Sequence, residues 1–262
     1  MTLQETQHQL DETEARLRAL ENELEARAQE RAAQLRQANQ NLQSIAHTAA
    51  HDLRSPLRAI KGFSTLLLEE HGGHLDTEGL FLLQRIAQAA DQMQQLLSDL
   101  LEYVNVAAAE LSLEKVSLQD AVREALAPLQ GDIGAKNAAV TVQESLPPIM
   151  GHRDTVVVLV NNLVSNALKF VAPNVRPQIG IRAESAGPRV RLSVQDNGIG
   201  VEPKDMRRLF EVFQRLNAKG AYPGTGLGLA IVREGARRMG ACAGVESQPA
   251  NGSRFWIEFQ AA

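Results

Sequence analysis

Leucine recurs at every seventh position from the amino terminus, at Leu3, Leu10, Leu17 and Leu24, with Leu20 on the same seam. Leu35 and Leu42 resume the step. Between Leu24 and Leu35 the repeat slips by four residues, a stutter that locally relaxes a supercoil. Glu12/Arg16, Glu14/Arg18 and Glu23/Arg27 stand at the i,i+4 spacing that supports an exposed helix face. A seam this narrow, held over several heptads, predicts a coiled coil with another chain rather than a helix laid on its own domain. The seam runs on through Ile45, Ala49, Leu53, Leu57 and Ile60. The stretch HGGHLDTEG (71–79) then breaks the helix with paired glycines, and Asp76 or Thr77 could cap the next one. A second helix carries Leu83, Ile86, Ala90, Met93, Leu97, Leu100 and Val104 on one side. Two apolar-striped helices with nothing of their own to cover them predict a homodimer. Two hairpins meeting as a four-helix bundle would bury both stripes.

Around Ala107–Lys115 the helical pattern lapses, which predicts a linker. Beyond it helices and strands are interspersed. Helices are expected at Leu118–Ala127, Arg153–Val171, Pro203–Phe213 and Gly226–Met239. Strands are expected at Ala139–Glu144, Gln178–Ala183, Arg189–Gln195, Gly244–Ser247 and Arg254–Gln260, several alternating with period two. The mixture points to a two-layer α/β sandwich. The whole reads as α+β, divided into a coiled-coil helix at 1–40, a helical hairpin at 41–108, a linker at 109–116 and the sandwich at 117–262.

Composition narrows the classes of function. The chain has 262 residues, 44% hydrophobic and 22% charged, which is ordinary for one or two soluble domains. A net charge of -4 and only 4% aromatic residues argue against a nucleic-acid surface. A single cysteine, Cys242, forbids an intrachain disulfide and reads as a small core residue. No apolar run approaches the roughly 20 residues of a membrane span, and MTLQETQHQL is not a secretory signal. A cytoplasmic chain is expected.

Four stretches carry candidate chemistry. In HDLRSPL (51–57) a histidine and a carboxylate adjoin in a helical pattern, and Pro56 removes the bond back to the Asp52 carbonyl. A mid-helix proline costs about 3 kcal/mol, so a bend is expected one turn past His51. His51 lies roughly 200° around the helix from Ala49 and from Leu53, hence away from the seam and toward solvent. Arg54 and Ser55 share its face. In NNLVSNALKF (161–170), Asn162, Asn166 and Lys169 fall on one face of a helix whose other side is apolar. Two asparagines in a helix interior carry a propensity cost. An amide oxygen suits Mg²⁺ and an ammonium suits phosphate, although a solvated face would look the same. DNGIG (196–200) follows an alternating strand, but no strand returns after its Asn-Gly pair. Its glycines instead would let backbone pass close to a ligand, with Asp196 accepting a hydrogen bond. Gly224-Thr-Gly-Leu-Gly228 opens a helix, an arrangement that favours anions, and matches neither the P-loop nor the dinucleotide spacing. The polar loop Gln214–Pro223, with Lys219, Gly220 and Pro223, is suited to being a lid.

Together these stretches resemble the sensor histidine kinases over nearly all of residues 40–260. HDLRSPL resembles the H box, NNLVSNALKF the N box, DNGIG the G1 box, LFEVFQRL the F box and GTGLGL the G2 box, in the family's order. The phrases FQRL and YPGTGLGLAIV are similar to the kinase modules of bacteriophytochromes and cyanobacterial-type kinases. The resemblance implies a dimerisation and phosphotransfer hairpin followed by a GHKL-type ATP-binding sandwich. It also implies autophosphorylation from ATP and onward transfer to an aspartate of a response regulator receiver domain. By it, His51 is the phosphoacceptor, Asp52 its base or orienting acid, and Arg54 and Ser55 complete the catalytic set. Asn166 would hold Mg²⁺, with Asn162 and Lys169 near the phosphates and Asp196 on the adenine amino group. Gly198, Gly200, Gly224, Thr225, Gly226, Leu227 and Gly228 would line the nucleotide. Phe210 and Phe213 would anchor the lid, and Arg215 would reach the γ-phosphate. An upstream sensory domain or input protein is implied as well. Ser55 departs from the threonine or asparagine many members carry there for dephosphorylating the partner, though a hydroxyl remains to position water. Two other readings compete: a GHKL ATPase akin to gyrase, MutL or the heat-shock-90 chaperone, and a degenerate kinase serving as a dimeric scaffold. The first would not need His51, and the second would need a broken ATP site, which the motifs do not show.

Overall fold

The computed structural model describes residues 3–215, 222 and 224–262. The chain divides into two compact units, Met1–Ile45 and Ala46–Ala262. The first unit is helical, within helix α1 (Leu3–His71). Its seam leucines Leu17, Leu20 and Leu24 are all exposed in the single chain. The side chains of Leu3, Leu10 and Leu35 lie outside the described residues.

In the second unit α1 pairs with α2 (Thr77–Ala108). Pro56 stands inside α1 without ending it. The paired glycines form a short 3₁₀ turn, Gly72–His74. Asp76 then caps α2 by accepting from the Gly79 N–H at 2.7 Å. A Lys61–Asp91 ion pair at 2.7 Å and a His47–Asn105 hydrogen bond at 2.9 Å tie the two helices. Part of the apolar stripe is exposed, including Ile86 and Met93 on α2 and Leu53, Ile60 and Phe63 on α1.

The remainder is a seven-stranded sheet: β1 (Glu114–Val116), β2 (Ala139–Val142), β3 (Ile149–Gly151), β4 (Gln178–Ala186), β5 (Arg189–Asp196), β6 (Cys242–Ser247) and β7 (Ser253–Ala261). The order is β1-β3-β7-β5-β4-β2, with β6 also on β7. Among the described residues, β2 and β4 are the one parallel pair. Period-two alternation does the sorting. Val190, Leu192 and Val194 on β5 and Phe255, Ile257 and Phe259 on β7 are buried, while Arg191 and Arg254 face outward. The covering layer consists of α3 (Leu118–Leu126), α4 (Gln130–Ala135), α5 (Arg153–Lys169) and α6 (Gly228–Arg238). On α5, Val156, Leu159, Val160, Leu163, Val164, Ala167 and Leu168 join the core, as the helical period demands.

Several expectations are corrected. Residues 203–213 are not a helix. Their backbone bonds run Asp205 to Glu202, Arg208 to Asp205 and Glu211 to Arg208, a chain of turns stepping by three residues. That chain ends where Phe213 takes a left-handed φ of 62°. The segment read as a linker holds β1, which pairs with β3 from Glu114 to Val116. Three-residue strands such as β1 and β3 are too short to show a period. The end of α2 also enters the sandwich: Val106 belongs to its core, and Leu100 and Tyr103 pack against it. Cys242 is exposed rather than a core residue.

Candidate active site

Three of the sequence stretches meet at one cavity of about 740 Å³. The i, i+4, i+7 spacing on α5 puts Asn162, Asn166 and Lys169 on its wall together. Asn162 Nδ2 donates to the Val158 carbonyl at 3.0 Å and to Glu102 Oε2 on α2 at 3.1 Å. The Asn166 amide makes no side-chain hydrogen bond among the described residues and is free for a ligand. Lys169 Nζ lies 5.1 Å from the Phe170 ring centroid. Burial pulls the Lys169 ammonium below its ordinary pKa, and the nearby Asp99 carboxylate works against that shift.

Asp196 ends β5 and lines the cavity. Its Oδ1 accepts from the Gly198 N–H at 2.8 Å and the Ser253 N–H at 3.1 Å. Burial raises its pKa, and the two backbone donors partly offset that. Gly198 lies beneath the carboxylate rather than on the cavity wall. A methyl group there would sit 2.7 Å from Asp196 Oδ1 and inside contact distance of the Phe170 carbonyl. Gly200, which does line the cavity, has a φ of 68° that a side chain would strain.

Gly224, Thr225, Gly226 and Gly228 also line the cavity, at the start of α6, with Gly224 close against Lys169 and Gly228 against Asn162. Leu227 does not: it is fully buried in the hydrophobic core and anchors the loop by packing. Phe210 is buried, whereas Phe213 is 55% exposed and off the cavity wall. Arg215 lines the cavity and donates to the Tyr222 carbonyl at 3.4 Å. Tyr222 stands 5.6 Å from Phe170, ring to ring. Lys219, Gly220 and Pro223 of the expected lid lie outside the described residues.

His51 is not on this cavity. Its side chain is 84% exposed, as its position off the seam predicts. Nδ1 stands 3.2 Å from Asp52 Oδ1, so the adjacent pair does interact despite its unfavourable helical spacing. Arg54 is half-buried and Ser55 exposed, and neither is bonded to His51. Reading the sequence also missed residues that line the cavity. Phe170 closes the 161–170 stretch itself, where an aromatic next to Lys169 is the signal that could have marked it. Asp99 and Glu102 come from α2, and nothing local marks them.

The cavity is lined by paired asparagines, a lysine and a glycine-rich helix start, the hairpin bears an exposed His–Asp pair, and the sequence that builds them matches two family models. Residues 151–262 match the histidine kinase-, DNA gyrase B- and HSP90-like ATPases. Residues 41–109 match the His Kinase A (phospho-acceptor) domain. The chain carries the catalytic module of a sensor histidine kinase. Within that family, cyanobacterial phytochrome A of Nostoc sp. strain PCC 7120 is 32% identical over 223 residues, covering 85% of this chain and 29% of the relative. The methanogenesis regulatory histidine kinase FilI of Methanothrix harundinacea is 30% identical over 226 residues, or 86% of this chain and 25% of the relative. The chain thus spans under a third of the curated relatives it matches. Full-length ShkA in complex with AMPPNP is 29% identical, with a TM-score of 0.60 over 84% of this chain and 46% of that one. The kinase ThkA in complex with the response regulator TrrA shares the fold at 22% identity, with a TM-score of 0.55 over 84% of this chain and 61% of that one. The phospho-acceptor hairpin sets the chain apart from the ATPases that share only its sandwich. Among the described residues no helix is long and apolar enough to cross a membrane.

Proposed function

We propose that this histidine kinase moves the γ-phosphoryl group of ATP to His51, and from there to an aspartate of a response regulator receiver domain. The observation that carries the reading is the exposed His51 with Asp52 at its Nδ1. An ionised Asp52 accepting from Nδ1–H fixes the tautomer whose lone pair lies on Nε2. Nε2 then attacks the γ-phosphorus in line. The N–P bond forms as the bond to the bridging oxygen breaks, and ADP leaves with that electron pair while Asp52 stabilises the Nδ1 proton.

The hairpin 41–108 carries the acceptor, residues 117–262 the nucleotide, and 1–40 a coiled coil from an upstream sensory domain or input protein. In the cavity Asp196 accepts from the adenine amino group. Gly200, Gly224, Thr225, Gly226 and Gly228 form the backbone cradle, Gly198 holds the Asp196 carboxylate from beneath, and Asn162 and Lys169 stand at the phosphates with Arg215 reaching the γ-phosphate. Asn166 offers an unspent amide oxygen of the hard type Mg²⁺ takes, and the ion would neutralise phosphate charge there. Phe210 and Phe213 hold the lid. Because His51 is off the cavity wall, transfer needs the ATP-binding part to move about the connector at 109–113.

The exposed Ile86, Met93, Leu53, Ile60 and Phe63 support a homodimer that covers them as a four-helix bundle. ThkA, which shares the fold, was solved in complex with a response regulator, and we place a receiver domain of such a partner at the exposed His51 of this hairpin. Ser55, exposed near His51, is the hydroxyl available to orient water for dephosphorylating that partner. The cytoplasm, where ATP is abundant, is the compartment this chemistry needs.

The test is incubation with Mg²⁺ and γ-labelled ATP, followed by acid or alkali. Acid-labile, alkali-stable label that disappears in His51→Ala is expected. ATP turnover without label would make the chain an ATPase of another kind, and failure to bind nucleotide would make it a scaffold.

A further inference from the structure

One wall of the nucleotide cavity comes from the hairpin, not from the ATP-binding sandwich. Helix α2 places Gln95, Ser98, Asp99 and Glu102 there. Asp99 and Glu102 are i and i+3 on one helix face, and both reach groups that a nucleotide's phosphates would use. The Thr225 hydroxyl, in the glycine-rich loop, donates to Asp99 Oδ2. Asn162 Nδ2 donates to Glu102 Oε2 at 3.1 Å and spends its other hydrogen on the Val158 carbonyl, leaving none for a phosphate. Lys169, on the same cavity, is in the field of Asp99 and also of the cations Arg215 and Lys136. A hydroxyl and an amide are thus already engaged by carboxylates.

The contact continues beyond the cavity. Val106, one turn further along α2, is buried in the core beside Gly235 of α6. Past the end of α2, Arg238 donates to the Ala109 carbonyl. The helix is therefore docked on the sandwich along the same face that carries the two acids. A triphosphate entering here meets two acidic side chains, and burial pushes the Glu102 pKa up, with the Asn162 hydrogen bond opposing that rise and the neighbouring Asp99 adding to it. Like charges at such range oppose each other strongly where burial limits screening.

We propose that Asp99 and Glu102 are an internal phosphate mimic, a latch that holds α2 on the ATP-binding domain and competes directly with the phosphates of Mg·ATP. Nucleotide binding and release of the domain toward His51 are then one event. This rests on the kinase reading of the cavity. Adenosine, which has no phosphates, is not subject to the competition.

The isosteric variants Asp99→Asn, Glu102→Gln and their combination remove the charges and keep the shape. Calorimetric titration of the whole chain with Mg·ATP and, separately, with adenosine reads the latch. The double variant should bind Mg·ATP about tenfold tighter, within the range usual for coupled sites, with adenosine affinity unchanged. Each single variant should fall between. Equal or weaker Mg·ATP binding by variants that still take adenosine would overturn the latch. So would an equal gain for adenosine, which would mark general loosening. Labelling of His51 is scored apart: wild type that binds Mg·ATP without labelling fails the kinase reading while the affinity ratio still judges the latch.

Discussion

Asp196→Asn separates two jobs that one carboxylate performs. Its Oδ1 accepts from the Gly198 and Ser253 N–H groups at 2.8 and 3.1 Å, and an amide oxygen can keep both bonds. What asparagine cannot keep is an acceptor facing the adenine amino group, because its other atom is an NH₂ donor. The loss is one hydrogen bond to a charged acceptor, about 1.5–3 kcal/mol, or roughly ten- to a hundred-and-fifty-fold in affinity. Stability should move the other way. Burial raises the folded-state pKa of Asp196 above its unfolded value. The stability tied to its protonated form is fully present below the ordinary carboxylate range and is lost as pH rises through the raised folded value. The variant, which cannot ionise, should match wild type in acid and exceed it at neutral pH. Thermal unfolding across pH, paired with adenosine titration, measures both. Unchanged adenosine affinity, or a variant less stable than wild type at neutral pH, would refute the assignment.

Other substitutions probe the frame around the site. Gly198→Ala forces a methyl group against Asp196 and the Phe170 carbonyl, and should cost about 1–3 kcal/mol in a denaturant titration together with weaker adenosine binding. Leu227→Ala empties a fully buried core position, so about 2–5 kcal/mol of stability should go; intact stability with weakened ATP binding would return Leu227 to the nucleotide. Pro56→Ala restores the missing backbone bond inside α1 and should change the ratio of kinase to phosphatase activity, measured with a receiver domain. An unchanged ratio would remove Pro56 from the control of transfer.

Periodicity made the long elements legible. The strands β4, β5 and β7 alternate cleanly, and α5 divides into an apolar side and the Asn162, Asn166, Lys169 face that lines the cavity. Short or irregular pieces hid for physical reasons. β1 and β3 have three residues each, fewer than two periods, and the turns of 203–213 imitate helical spacing because a three-residue step is close to 3.6. Leu227 falls within the GTGLGL resemblance, but a leucine between glycines can turn its side chain inward while the backbone faces the cavity. Cys242 faces outward because β6 pairs it with Glu258 on the outer side of β7, a register no single strand reveals. Asp99 and Glu102 look like the polar side of a bundle helix, and only the fold brings them to the cavity.

The most direct measurement is the attachment site of the phosphoryl group. Phosphorus and nitrogen magnetic resonance on chain labelled at histidine, after reaction with Mg·ATP, distinguishes the two ring nitrogens. With Nδ1 held by Asp52, the phosphoryl group should be on Nε2 of His51 and nowhere else. Phosphate on Nδ1, on another residue, or on none while ATP is consumed would contradict transfer through the His51–Asp52 pair.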